Sequence, residues 1–293
     1  MPRDEISRIL KAYKDVGVCA SRDMFSDRIS VHIEHEHQID RVVEIGHVQY
    51  ISFPGYSWVA DALPKAFLIS GLESLSVGAS MIRGSSFAGV SQLPKLKELL
   101  IGSLVLDADE AMKHVSKCPA LESLKFYESL VSPDGYALLS ELTTLKELIF
   151  HRCILGRLGW EQIGKLVSLT RLVITFEELP YLPLEFITGL SKLEKLSLYF
   201  TISHGDPGFS LLAGLPLLRE LDLSGTYTSD DRVPSLGKLK QLRTLDITQT
   251  TISRRGLKRL RKLLPECEMV YSPKPIPEAE KYYPPLKRRR SSQ

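Results

Sequence analysis

Asparagine is missing from this chain of 293 residues. No N-glycosylation acceptor therefore exists, which accords with an intracellular address. Cysteine is scarce. Cys19, Cys118, Cys153 and Cys267 lie far apart and form no C-x-x-C pair. That excludes a zinc ribbon or a thioredoxin-type motif and leaves buried free thiols acting as small hydrophobes. No run of 18 apolar residues occurs, so no transmembrane helix is expected. The opening MPRDEISRILKAYKDVG lacks the apolar stretch of a secretory signal, so a cytoplasmic protein is expected. There is no G-x-x-x-x-G-K-[ST], no G-x-G-x-x-G and no G-x-S-x-G, so the usual phosphate cradles and nucleophile elbow are missing. No cofactor and no enzymatic activity are expected.

What is present is a period. The pattern L-x-x-L-x-φ, with φ apolar, starts at Leu72, Leu96, Leu121, Leu145, Leu169, Leu193, Leu218 and Leu242. A weaker copy starts at Val48, giving nine copies spaced by 24 or 25 residues. Cys267-Glu-Met269-Val-Tyr271 follows 25 residues after Leu242 as a closing strand. Alternate side chains of a strand share a face, so the second and third apolar positions both point inward. One repeat cannot bury that face alone; stacked repeats make a continuous core. Between the strands, Ser132-Pro133 reads as a helix cap followed by proline in the first turn. Trp160, Ile163 and Leu166, and Leu257, Leu260 and Leu264, fall on helical faces. RVPSLGKLKQ reads as a single turn of helix.

Residues 48–271 resemble the leucine-rich repeat family, whose strand signature is L-x-x-L-x-L at a period of 20–29 residues. The stretch from Leu221 to Val270 is similar to short-repeat bacterial members, with Thr226 and Thr250 at the family's threonine position. The resemblance implies an α/β fold: a right-handed solenoid, or arc, with a parallel concave sheet and short convex helices. It also implies a non-enzymatic protein–protein interaction module. The family's asparagine ladder is absent, so turn groups need other partners, such as Ser/Thr hydroxyls or water. The corresponding position holds Ser80, Leu104, Ser129, Cys153, Glu177 and Thr201 elsewhere. Leu104 and Glu177 cannot donate a hydrogen bond there.

Residues 1–47 form a capping segment of helix plus strand. Ile6, Ile9, Leu10 and Tyr13 have helical spacing, and Ile29, Val31 and Ile33 alternate like a strand. A separate activity or recruitment role in residues 1–45 stays open. Residues 272–293 form a basic, proline-rich tail read as disordered. Its Lys287–Arg290 run suits a solubilising tail, a nuclear address in a eukaryote, or contact with nucleic acid or an anionic membrane. Net charge is +3, but residues 254–290 hold twelve Lys/Arg against four Glu. That end is basic, and the repeat body is mildly acidic. His32, Glu34, His35, Glu36 and His37 crowd together without the H-E-x-x-H spacing, and no metal site is assigned. Read as a strand, His35 and His37 share a face that His32 opposes.

With the first apolar residue of each repeat as position zero, positions 2, 4 and 6 point outward from the sheet, with position 7 just beyond. They are polar early (Ser74, Ser76, Gly78) and late (Glu220, Asp222, Ser224, Thr244, Asp246, Thr248). The middle repeats instead carry Leu100, Tyr127, Ile149, His151, Arg152, Val173, Phe176, Tyr199 and Phe200. Strands about 4.8 Å apart would align Tyr127, His151, Thr175 and Tyr199 in one row, with Arg152, Phe176 and Phe200 beside it. Aromatic residues and arginine are enriched at binding hot spots. The candidate partner-binding residues are therefore Tyr127, His151, Arg152, Phe176, Tyr199 and Phe200. The acidic Glu220, Asp222 and Asp246 suggest a basic flank on a protein partner. No small-molecule substrate is evident.

Overall fold

The computed structural model describes residues 3–23, 28–78, 82–102, 107–179, 182–203 and 208–272. The tail 273–293, with its Lys287–Arg290 run, and the turn positions Ser80 and Leu104 lie outside them.

Twelve strands form one sheet whose spatial order follows the chain. Cys19–Arg22 runs antiparallel to Ile29–His32, and every later strand is parallel to its neighbour. Register follows the leucine period: Leu124, Leu148 and Leu172 stand side by side, as do Leu196, Leu221, Leu245 and Met269. From Ile51 to Leu245 the second apolar residue of each repeat is at most 1% exposed. Each such leucine contributes about 1.5–3 kcal/mol of burial, and together they form one unbroken core.

The connections pack on the other face. Gly156–Ile163 buries Trp160 and Ile163, and Arg254–Leu263 buries Leu257 and Leu260. Leu166 and Leu264 are buried just past those helix ends. Val233–Leu236 is a single turn, and several connections are only short 3-10 helices, such as the six-residue Leu184–Gly189 and Phe209–Gly214.

One capping device recurs. Ser132 caps the helix Pro133–Ala137, and Ser253 caps Arg254–Leu263. In both cases an aspartate 23 residues earlier accepts the serine N–H at 2.8 Å and its hydroxyl: Asp109 for Ser132, Asp230 for Ser253. The carboxylate sits so close that a Cβ on Gly135 would lie 2.3 Å from Asp109, and one on Gly256 2.0 Å from Asp230.

At the N-terminal end, Arg3–Asp15 buries Ile6, Ile9 and Tyr13. The Tyr13 hydroxyl donates to the Gly46 carbonyl. The antiparallel strand Cys19–Arg22 was not legible in the sequence; it has no buried residue and so no alternating apolar pattern. The histidine cluster is also not a strand. The strand stops at His32, and His35 and His37 stack at 5.7 Å in the turn leading into the helix Gln38–Ile45. Buried Gln38 decides this: it accepts the Glu34 and His35 N–H groups and donates to Gly17. Among the described residues no group of His, Cys, Asp or Glu is placed to hold a metal ion, and no helix is long and apolar enough to cross a membrane. Cys118 and Cys153 are buried, Cys267 is half-buried, and Cys19 is exposed rather than packed in the core.

Candidate functional site

Position 7 is left-handed in every repeat from Leu121 onward: Glu128, Arg152, Phe176, Phe200, Gly225 and Gln249 have φ between 51° and 69°. Five of these six direct their N–H at the next strand. Glu128 N–H donates to His151, Arg152 to Thr175, Phe176 to Tyr199, Phe200 to Ser224 and Gly225 to Thr248, at 2.8–3.2 Å. Holding an L-residue there costs about 1–2 kcal/mol, and a bulky aromatic with positive φ is an outlier. Phe176 and Phe200 are both in that state.

The left-handed turn throws these side chains beside those of position 6. Tyr127 and His151 are 5.3 Å apart between ring centres, and His151 and Phe176 5.0 Å. Phe176 meets Tyr199 edge-on at 5.4 Å and stacks on Phe200 at 5.3 Å, while Tyr199 and Phe200 meet at 4.6 Å. The Arg152 guanidinium lies over Phe176 at 5.4 Å and pairs with Glu128 at 3.1 Å. Gly225 closes the row, since a Cβ there would lie 2.4 Å from the Phe200 ring. The structure thus brings all six sequence-derived residues into one strip. Arg152 is exposed, and the five rings are half-buried.

His151 Nδ1 lies 2.8 Å from the Thr175 hydroxyl. Burial, reinforced by the Arg152 cation, lowers its pKa from the usual value of 6.5. The imidazole is therefore neutral at pH 7 and acts as an aromatic and hydrogen-bonding group.

The acidic flank is less free than its sequence implied. Glu220 pairs with Lys195 at 2.8 Å. Asp222 accepts the Ser224 N–H and the Ser197 hydroxyl, and Asp246 accepts the Thr248 N–H. These carboxylates hold the ends of their own strands, because an aspartate just before the turn reaches the amide two residues on.

Directly beneath the strip, position 8 replaces the asparagine ladder. Thr201, Thr226 and Thr250 donate to carbonyls three residues back at 2.6–2.8 Å. Buried Cys153 packs its thiol against the His151 carbonyl. Glu177 inverts the arrangement. It is 4% exposed and accepts the Leu155 and Gly156 N–H groups and the Trp160 indole N–H, capping the preceding repeat's helix. Burial pushes its pKa up to about 7, against the pull of those donors. The buried Tyr136 hydroxyl has no hydrogen-bond partner among the described residues. One signal of this cluster is visible in the sequence: a carboxylate where most other repeats place serine, threonine or cysteine.

Comparison with known proteins agrees with this architecture. A family model described as "FBD-associated F-box protein At5g56370, LRR repeats" matches residues 41–180. None of the curated proteins matches the sequence. Among solved structures, a leucine-rich repeat protein of Leptospira interrogans superposes with a TM-score of 0.54 at 20% identity, covering 78% of this chain and 62% of that one. The TLR13–ssRNA13 complex gives 0.54 at 19%, covering 78% and 36%. A plant peptide hormone receptor, RGFR1 in complex with RGF2, gives 0.50 at 13%, covering 82% and 46%. This chain spans less than two thirds of each of these structures, and at these identities they share its fold alone.

Proposed function

We propose that this leucine-rich repeat protein is a non-enzymatic binding module that takes a protein partner on the concave face of its sheet. Tyr127, Phe176, Tyr199 and Phe200 are the apolar anchors. His151 and Arg152 lend directional polar contacts at one end. The observation that carries this reading is the strained strip itself. Two phenylalanines occupy left-handed backbone that glycine fills one repeat later, at Gly225. Stability alone would favour glycine or a small polar residue there. Strain of this kind concentrates at functional positions, and contiguous aromatic surface marks interaction sites. The partner segment this strip fits carries an apolar side chain for the rings. It also carries a cationic group for the side of Asp222 and Asp246, which no described cation neutralises.

Residues 3–45 read as part of this module rather than as a separate activity, since their helices and strands pack into the same core. A cytoplasmic setting remains our expectation.

The test is capture from native lysate with wild type and a Phe176→Asn/Phe200→Asn variant, at a temperature well below the thermal transition of both. Asparagine tolerates left-handed backbone, so the variant removes rings without adding strain. A protein held by wild type and released by the variant supports the site. Equal retention removes it.

A further inference from the structure

The charge asymmetry of the sequence becomes a surface at the last repeat. The helix Arg254–Leu263 carries Arg254, Arg255, Lys258, Arg259, Arg261 and Lys262 and no acid. All six are exposed, while Leu257 and Leu260 are held in the core. Lys240 joins them, reaching the Leu263 carbonyl at 2.5 Å.

Several surface cations elsewhere pair with a carboxylate one repeat away: Lys146 with Glu122, Arg171 with Glu147, Lys195 with Glu220. The six cations of this helix have no such partner among the described residues. Helix stability accounts only for Arg261 and Lys262, in the last turn, where the dipole favours cations. Arg254 and Arg255 stand in the first turn, where the helix dipole disfavours positive charge. Arg254, Lys258 and Lys262, and Arg255 with Arg259, are like charges four residues apart, which is also unfavourable. A cluster that works against its own helix points to an anionic ligand.

We propose that the outward face of Arg254–Leu263 binds the phosphate backbone of a nucleic-acid duplex without reading its sequence. Four residues rise about 6 Å along a helix, so the two ridges present cations at short, regular intervals to a regularly charged strand. Four of the six cations are arginines (Arg254, Arg255, Arg259, Arg261), whose planar fork grips phosphate in a bidentate manner. A protein partner is disfavoured because interface centres are depleted in charge, and Leu257 and Leu260 are already buried, with Leu263 packed against the core. A membrane is disfavoured for the same reason: no apolar face is left to enter the headgroup boundary. Single strands are disfavoured because the helix has no aromatic side chain for base stacking.

Fluorescence anisotropy of the full chain with a labelled RNA duplex and the matching DNA duplex tests this. Wild type is expected to bind both, losing affinity linearly in log salt between about 50 and 200 mM. Arg255→Gln/Arg259→Gln, at unchanged thermal stability, should weaken binding about tenfold or more and reduce the salt slope by roughly one per lost contact. The Phe176→Asn/Phe200→Asn variant should bind as wild type does, so this surface and the concave one succeed or fail separately. Four outcomes would overturn the proposal. These are no duplex binding at the lowest salt, unchanged binding by the helix variant, and loss only on replacing Arg288, Arg289 and Arg290 by Gln. The fourth is tighter binding to phosphatidylserine-containing vesicles than to either duplex.

Discussion

The Phe176 ring stacks on the Phe200 ring with centres 5.3 Å apart and planes 20° from parallel. Both residues sit on left-handed backbone one repeat apart. The same turn that strains each phenylalanine sets the two rings in contact, so the strip is a consequence of repeat geometry acting on particular side chains.

Gly225 ends that strip, with φ +69° and a missing Cβ where the Phe200 ring lies. Gly225→Ala should destabilise the fold by about 1–3 kcal/mol, from backbone strain and from overpacking. The denaturant midpoint should fall at constant slope. An unchanged midpoint would mean that Phe200 turns aside freely.

Phe176→Asn trades ring contacts for relief of strain. The lost aromatic pairs contribute about 0.5–1.5 kcal/mol each, and left-handed backbone returns roughly 1 kcal/mol. With three such pairs, to His151, Tyr199 and Phe200, the net loss should lie between about 0.5 and 3.5 kcal/mol in equilibrium unfolding.

Asp109→Ala and Asp230→Ala each leave a capping serine without its acceptor. The expected loss is about 1–2 kcal/mol, larger at Asp109 because that bond is part-buried while the Asp230 bond is exposed. The sites lie several repeats apart, so the double variant should be additive within about 0.5 kcal/mol. Thermal or denaturant unfolding of the three variants measures both points.

Glu177 gives a pH dependence of defined sign. Its folded pKa of about 7 lies above the ordinary 4.5, so between those values the folded state holds the extra proton. Stability then falls as pH rises through that window and levels above it, by roughly 3 kcal/mol in all. His151 acts oppositely, its lowered pKa making stability rise with pH below its usual value. Glu177→Gln keeps the shape and the acceptor oxygen but cannot ionise. Its stability relative to wild type should therefore improve from pH 5 to pH 8. A constant difference across that range would contradict the assignment.

The strand register, the core positions and the outward rows were legible in the sequence because leucine spacing reports burial directly. Thr226 and Thr250 likewise announced their hydroxyl ladder. Other features were not legible, since they depend on neighbours a full repeat away. Glu177 reads as a misfit until Leu155, Gly156 and Trp160 are seen converging on it. Asp222 and Asp246 read as free charge until the amides of Ser224 and Thr248 are seen to engage them. The backbone inversion at Phe176 and Phe200 is invisible too, because only at Gly225 does the residue type betray it.

The most direct test of the central claim is site-resolved photo-crosslinking in native lysate, with the reactive group placed at Ser197 on the concave face or at Lys165 on the opposite side. Our account predicts one protein crosslinked from Ser197, absent from Lys165, and lost from Ser197 when Phe176→Asn/Phe200→Asn is added. The same adduct from both positions, or one that survives the loss of both rings, would contradict it.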